Sequence, residues 1–277
     1  MHSVSTALLA KRTISAIALA LMALAVPAAA HEYYLIPQNF SPDAGSEVAI
    51  EHRLGQRFKG DEMPWISKWN IRSELWTSDT SAKVEGKDGD RPALTVTLPK
   101  TELTAVIHQS NIEYLTFQTW EKFRAYVLKE GIAYALQPSL DGSKPKEKLL
   151  EAYSRFAKTL ITPNGTTQGK DRPTGLKVEL VALENPMAID PKTAMPVQLL
   201  YDGKPLAGAM IKVFVGQDTA PAYKILTNTD GQAKIPAAGP GPYLLNAIHI
   251  TDPQSPGKPV EQAHWESFWA SLTFQRR

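Results

Sequence analysis

The chain has 277 residues, with 30 Lys and Arg against 28 Asp and Glu, a formal net charge of +2 and no cysteine. A near-neutral balance without a basic cluster excludes a nucleic-acid binder or a polybasic membrane anchor. The absence of cysteine excludes disulfides, thiolate ligands and a cysteine nucleophile, so a bound metal has to be held by imidazole, carboxylate, amine or thioether, which suits nickel, cobalt, copper or zinc.

Residues 1–30 read as a signal peptide. Lys11-Arg12 form a basic start, Ile14 to Val26 is almost wholly apolar, and Ala28-Ala29-Ala30 supplies an A-x-A cleavage site. The apolar run falls short of the about 20 residues that a membrane span needs. The product is therefore expected in the periplasm, soluble after signal removal and not inserted in a membrane. Cleavage after Ala30 removes Lys11 and Arg12, leaves basic and acidic side chains equal in number, and makes His31 the first residue. An N-terminal histidine offers its α-amine and its Nδ1, which together chelate one ion. The competing reading is that signal peptidase had to leave some residue first and histidine fell there by chance.

From His31 onward, short alternating runs predict strands at Tyr33 to Ile36, Glu47 to Leu54, Asn70 to Thr77, Leu94 to Leu98 and Leu103 to His108. Turn-forming runs such as Pro42-Asp-Ala-Gly45 and Lys87-Asp-Gly-Asp90 separate them. The spacing then becomes helical: Phe117, Trp120, Phe123, Tyr126 and Val127 mark one helix ending at Gly131. Leu149, Leu150, Tyr153, Phe156, Ala157 and Leu160 mark a second over 146–161, beyond a turn at Pro138 to Gly142. Residues 31–165 are thus expected to form an antiparallel β-sandwich carrying a helical hairpin at about 117–161.

A breaker-rich stretch over 162–175 reads as a linker. Seven strand candidates follow: Leu176 to Leu183, Met195 to Tyr201, Met210 to Val215, Ala222 to Thr227, Ala233 to Ile235, Tyr243 to Ile250 and Phe268 to Phe274. Seven short strands over 166–277 have the size of one immunoglobulin-like or transthyretin-like sandwich. The expected architecture is mainly β: two β-sandwich domains with a helical hairpin between them.

Local motifs exclude several chemistries. Thr229-Asp-Gly-Gln232 lacks the spacing of a calcium loop and reads as a turn, and neither a Gly-x-Ser-x-Gly elbow nor a Walker loop is present. The histidines of the mature chain are His31, His52, His108, His249 and His264. His52 and His108 each stand at the end of a strand candidate, a common structural position. Alternation puts His249 on the face of Tyr243, Leu245 and Ala247, facing either a core or a cleft. His264 precedes Trp265 and Glu266, which adds a carboxylate. No His-x-x-x-His pair exists, so a metal site has to be assembled in three dimensions.

Several segments together carry a resemblance: His31-Glu-Tyr-Tyr-Leu-Ile-Pro37, Leu54-Gly-Gln-Arg-Phe-Lys-Gly-Asp61, Glu151-Ala-Tyr-Ser-Arg-Phe-Ala-Lys158 and Trp265-Glu-Ser-Phe-Trp-Ala-Ser-Leu-Thr-Phe274. With them the chain resembles, over nearly its whole mature length, a bacterial periplasmic family labelled as a domain of unknown function and grouped with the periplasmic component of nickel and cobalt uptake systems. The resemblance implies a secreted pair of β-sandwiches and a role in handling transition metals. It supplies no ligand set, since the nickel-uptake relatives carry an N-terminal chelate of Met-His type where this chain has histidine first.

The leading expectation is a non-enzymatic periplasmic binding protein for a divalent ion (Ni, Co, Zn or Cu). It would pass the ion to a membrane transporter or outer-membrane receptor. The expected ligands are His31 and His249, with His264 or Glu266 nearby. A copper-dependent oxidative enzyme built on the N-terminal histidine is the second reading. A non-catalytic interaction module of the cell envelope is the third.

Overall fold

The computed structural model describes residues 32–56, 58–98, 101–216 and 223–277. The expected signal peptide and His31 lie outside the described residues.

In chain order the strands are β1 (Glu32–Pro37), β2 (Glu47–Gln56), β3 (Lys59–Met63), β4 (Asn70–Trp76), β5 (Ser81–Lys83), β6 (Leu94–Thr97), β7 (Thr104–Ser110) and β8 (Glu113–Phe117). Helix α1 (Trp120–Glu130) follows, and then β9 (Leu149–Ile161). The second half holds β10 (Val178–Ala182), β11 (Met195–Tyr201), β12 (Lys204–Pro205), β13 (Met210–Val215), β14 (Tyr223–Leu226), β15 (Gln232–Ile235), β16 (Gly241–Thr251) and β17 (Trp265–Arg276). The chain is mainly β, as its alternating pattern predicts.

These strands form three sheets. A central sheet of nine strands runs β14-β13-β16-β17-β9-β7-β4-β5, with β8 also paired to β9. One of its faces is covered by the sheet of β10, β11, β12 and β15, and the other by the sheet of β1, β2, β3 and β6 together with α1. Alternation along each central strand divides its side chains between two cores. In β7, Ala105 and Ile107 enter the core shared with β10 and β11, whereas Val106 enters the core shared with β1, β2 and β6. In β9, Phe156 and Leu160 serve the first core and Ala157 and Ile161 the second. The two expected sandwiches therefore share a sheet, joined where β9 runs parallel to β17 from Glu151 opposite Trp265 to Thr159 opposite Thr273.

Half of the expected helical hairpin is present. Helix α1 is capped by the Thr119 side chain, which accepts from the Lys122 N–H, and it ends at Gly131, whose φ of 74° supplies the left-handed cap. The second helix, expected over 146–161, is instead β9. A strand buried on both faces is apolar at both parities, so its pattern imitates a helical stripe. Thr159 and Ile161 add the β-branching that suits a strand.

Two buried ion clusters span the halves. Lys158 of β9 pairs with Asp171 at 3.0 Å and Glu179 at 2.7 Å. Lys212 of β13 pairs with Glu32 at 2.7 Å and Glu130 at 2.6 Å. No described helix is long and apolar enough to cross a membrane.

Candidate functional site: a histidine-lined cavity

The second core, between β1, β2 and β6 on one side and β4, β7 and β9 on the other, is apolar at one end. Leu35, Ile50, Leu94, Val106 and Ala157 fill it there. Following the same inward parity along each strand, the residues become polar: Tyr33 on β1, His52 on β2, His108 on β7, Tyr153 and Arg155 on β9. Here the two sheets flank a half-open cavity of about 450 Å³. Leu54, Met63, Pro64 and Trp69 give it an apolar wall, and Asn70, Ser110, Asn111 and Glu113 a polar one. At its rim β4 bulges between Asn70 and Arg72, a device that bends a strand and re-aims its side chains.

The two imidazoles face each other with ring centroids 4.7 Å apart. Both are 2% exposed. Each is fixed through Nδ1 to a hydroxyl: His52 to Tyr33 at 2.7 Å, and His108 to Ser73 at 3.2 Å. Nε2 of His52 is buried with no partner. Burial disfavours the charged imidazolium, pushing His52 down to about 3. His108 is pushed well down by burial, then by His52 and Arg155. Both rings are thus neutral near pH 7, the state with a free nitrogen lone pair. Burial raises the Tyr33 phenol, which stays protonated and can either donate to or accept from Nδ1.

Three further features complete the cavity. Met63 stands directly opposite His52 in the β2–β3 ladder, which brings its thioether to the same face. Arg155 is held by Glu113 at 3.0 Å and lies over the Tyr153 ring, while the Tyr153 hydroxyl donates to the same carboxylate oxygen at 2.5 Å. Asn70 and Asn111 each spend their amide N–H on a backbone carbonyl, of Ile66 at 2.7 Å and Lys68 at 2.9 Å, and each keeps a buried carbonyl oxygen without a partner. The amide orientations follow from those carbonyls, which can only accept.

The residues expected to bind metal are placed differently. His249 lies on β16 with its ring 4.4 Å from that of Tyr201, and its Nδ1 is 3.4 Å from the Tyr134 hydroxyl. His264 precedes β17, and its Nδ1 accepts the Leu150 N–H at 2.9 Å. Glu266 is fully buried and accepts from the Gln254 N–H at 2.7 Å, the Ser255 N–H at 3.0 Å and the Ser255 hydroxyl. That carboxylate anchors the loop between β16 and β17. Among the described residues no three His, Asp or Glu side chains gather as a metal cluster.

Alternation in the sequence held a signal for the cavity. His52 shares its parity with Val48 and Ile50, and His108 shares its parity with Val106, so both are inward positions. Their mutual approach comes from the stacking of two sheets, which no local pattern encodes.

Compared with known proteins, residues 28–251 match the family model described as a domain of unknown function, DUF4198. No curated protein matches the chain. Among solved structures, the chain is similar to the D0–D1 domain of intimin over 88% of its length and 97% of that structure, at 11% identity and a TM-score of 0.20.

Proposed function

We propose that this chain, which belongs to the domain-of-unknown-function family DUF4198, is a binding protein for a divalent transition-metal ion held at His52 and His108. The carrying observation is the imidazole pair itself. Both rings are neutral, both are clamped at Nδ1 by a hydroxyl, and the Nε2 of His52 is buried without a partner. Metal-bound histidines are oriented this way, by a hydrogen bond on the ring nitrogen that does not bind the metal. Two imidazoles sharing an ion at about 2.0–2.1 Å would hold their centroids about 4.5 Å apart at a near-square angle and about 5.2 Å apart at a tetrahedral one. The observed 4.7 Å fits that range.

Two protein imidazoles leave coordination positions open. The Met63 thioether beside His52 is a soft third donor, favouring copper and nickel over hard ions. The sequence supplies another candidate in His31, two residues before Tyr33 and so within about 7 Å of it by covalent reach. If cleavage follows Ala30, its α-amine and imidazole become free as donors. The resemblance to nickel and cobalt uptake components makes those ions the first to try beside copper and zinc. Delivery to a transporter or receptor in the periplasm completes the proposal.

The test is calorimetric titration of protein beginning at His31 with nickel, cobalt, copper and zinc. His52→Gln and His108→Gln should each weaken the preferred ion at least tenfold. Tyr33→Phe, which removes only the clamp on His52, should cost about 10–100-fold. One extra residue before His31 should weaken binding if the N-terminus coordinates. Unchanged affinity in both histidine variants, with circular dichroism showing them folded, would remove the site.

A further inference from the structure

The buried cluster at Lys158 brings a lysine nitrogen up to a carboxyl carbon. On β9 Lys158 shares the parity of Phe156 and Leu160, so it points toward the core shared with β10 and β11. Its Nζ lies 3.0 Å from Asp171 Oδ1 and 3.2 Å from Oδ2. Those two distances leave the carbon that joins the oxygens no more than about 3.5 Å from Nζ, the separation from which a nucleophile attacks. Glu179 approaches the same Nζ through Oε1 at 2.7 Å, within reach to carry a proton. None of the three side chains is more than 2% exposed.

The surroundings suit a reaction at that carbon. The Arg172 N–H donates to Asp171 Oδ1 at 2.8 Å, and the Ala182 N–H donates to Oδ2 at 2.9 Å. Backbone donors on both oxygens polarise the carbon and stabilise the negative charge that develops there under attack. Glu179 is itself fixed by the Thr174 N–H at 2.9 Å, the Thr174 hydroxyl at 2.8 Å and the Gly175 N–H at 3.2 Å. Burial pushes the Asp171 carboxyl up, whereas Lys158, against the pull of its own burial, is pushed up by Asp171 and Glu179. The amine and acid needed for attack therefore form when one proton crosses the 3.0 Å hydrogen bond from Nζ to Asp171. Beside Asp171 a cavity of about 10 Å³, lined also by Trp76 and Thr174, approaches the room that one water needs.

We infer that Lys158 and Asp171 condense to an intramolecular amide, with Glu179 as the catalytic base and acid. The neutral Nζ attacks Asp171 Cγ and forms the C–N bond. Glu179 takes a proton from that nitrogen and returns it to one Asp171 oxygen, which leaves as water when its C–O bond breaks. The other oxygen remains as the amide carbonyl. One amine and one carboxylic acid become one amide and one water, and no oxidant or reductant takes part. The bond removes an ammonium and a carboxylate from the core, where charge is costly. It also ties the breaker-rich segment after β9 back onto that strand, in a chain that has no cysteine for a disulfide.

The test is mass spectrometry of the folded protein beginning at His31 and of its tryptic fragments, digested under denaturing conditions. The intact chain should weigh about 18 Da less than its sequence, the mass of one water. Trypsin cuts after Arg155, Lys170 and Lys177 and not between Arg172 and Pro173, so residues 156–170 and 171–177 should stay joined through Lys158 and Asp171. Cleavage after Lys158 should be absent. Glu179→Gln keeps an oxygen beside Nζ but carries no proton. This variant, shown to be folded by circular dichroism, should have the full mass and be cut after Lys158. Should it fail to fold, the wild-type fragments alone decide the bond. Full mass with cleavage after Lys158 in the wild type would reduce the cluster to ion pairs and overturn the amide. Attachment of 156–170 to residues 178–192 would make Glu179 the acyl partner and overturn the assignment to Asp171. A bond that persists in folded Glu179→Gln would remove Glu179 from the reaction.

Discussion

At the scale of single residues, Glu151 is the buried carboxyl whose ionisation is most consequential. It sits 1% exposed on β9, accepts from the Tyr126 hydroxyl at 2.9 Å and from the Ser267 hydroxyl, and keeps its other oxygen buried without a partner. Burial raises its pKa to about 7, against the opposing pull of those two hydrogen bonds. The folded state then holds the proton more tightly than the unfolded chain, where the carboxyl titrates near 4.5. Between these values the native state binds more protons. The contribution to stability is full below about pH 4.5 and is lost as pH rises through 7, at about 1.4 kcal/mol per pH unit. Glu151→Gln, neutral at all pH, should lose none of it. In urea titrations at pH 5, 6 and 7.5 the variant should therefore gain about 2–3 kcal/mol on the wild type across the series. A constant difference between the two would show that Glu151 does not take up a proton on folding. The histidines show a different limit of legibility. Inward parity was readable for His52, His108 and His249 alike, but only the register of two stacked sheets separates a pair 4.7 Å apart from a ring resting on Tyr201.

At the scale of elements, the sequence conveyed most strands because short apolar and β-branched runs bounded by turn residues mark them. Met195–Tyr201 and Met210–Val215 agree with expectation to the residue. The failures have two causes. In β9 both faces are buried, so the period-2 signal vanishes. Strand β8 alternates at Tyr114 and Thr116 but is only five residues long, and β3 is short and almost without apolar residues. Yet β3 carries Met63 to its place opposite His52, and that placement depends on a glycine contact. Gly55 and Gly60 face each other across the β2–β3 hairpin, and a Cβ on Gly55 would stand 2.2 Å from the Gly60 Cα. Backbone cannot yield as a side-chain tip can. Gly55→Ala should thus push β3 away from β2, costing about 1–3 kcal/mol, and should weaken metal binding by displacing Met63. Thermal denaturation and the titration above read the two effects separately. Full stability with full affinity would show that the hairpin absorbs the methyl group.

At the scale of the whole molecule, the division into halves at about residue 165 meets a sheet that crosses it. Strand β17 gives nine of its residues to parallel pairing with β9, and the Thr273 hydroxyl lies 2.7 Å from that of Thr159 between them. The buried ion clusters cross as well. Asp171 and Glu179 depend on Lys158 from the first half, and Lys212 depends on Glu32 and Glu130 from the same half. Separating the halves would leave two buried carboxylates on one strand-and-loop unit without their cation, and one lysine without its anions. Such losses cost far more than an exposed pair contributes. The chain should therefore unfold as one cooperative unit. In guanidinium titrations, fluorescence from a variant retaining Trp65 and Trp76 should report the same midpoint as one retaining Trp265 and Trp269, and far-UV circular dichroism should coincide with both. Lys158→Met, which strands Asp171 and Glu179, should lower that common midpoint by the equivalent of about 3–5 kcal/mol rather than split it. Two separated transitions, or a folded fragment of residues 166–277 expressed alone, would mean that each sandwich carries its own stability. The cavity, built from β1 and β2 on one sheet and β7 and β9 on the other, would then depend on the first half alone.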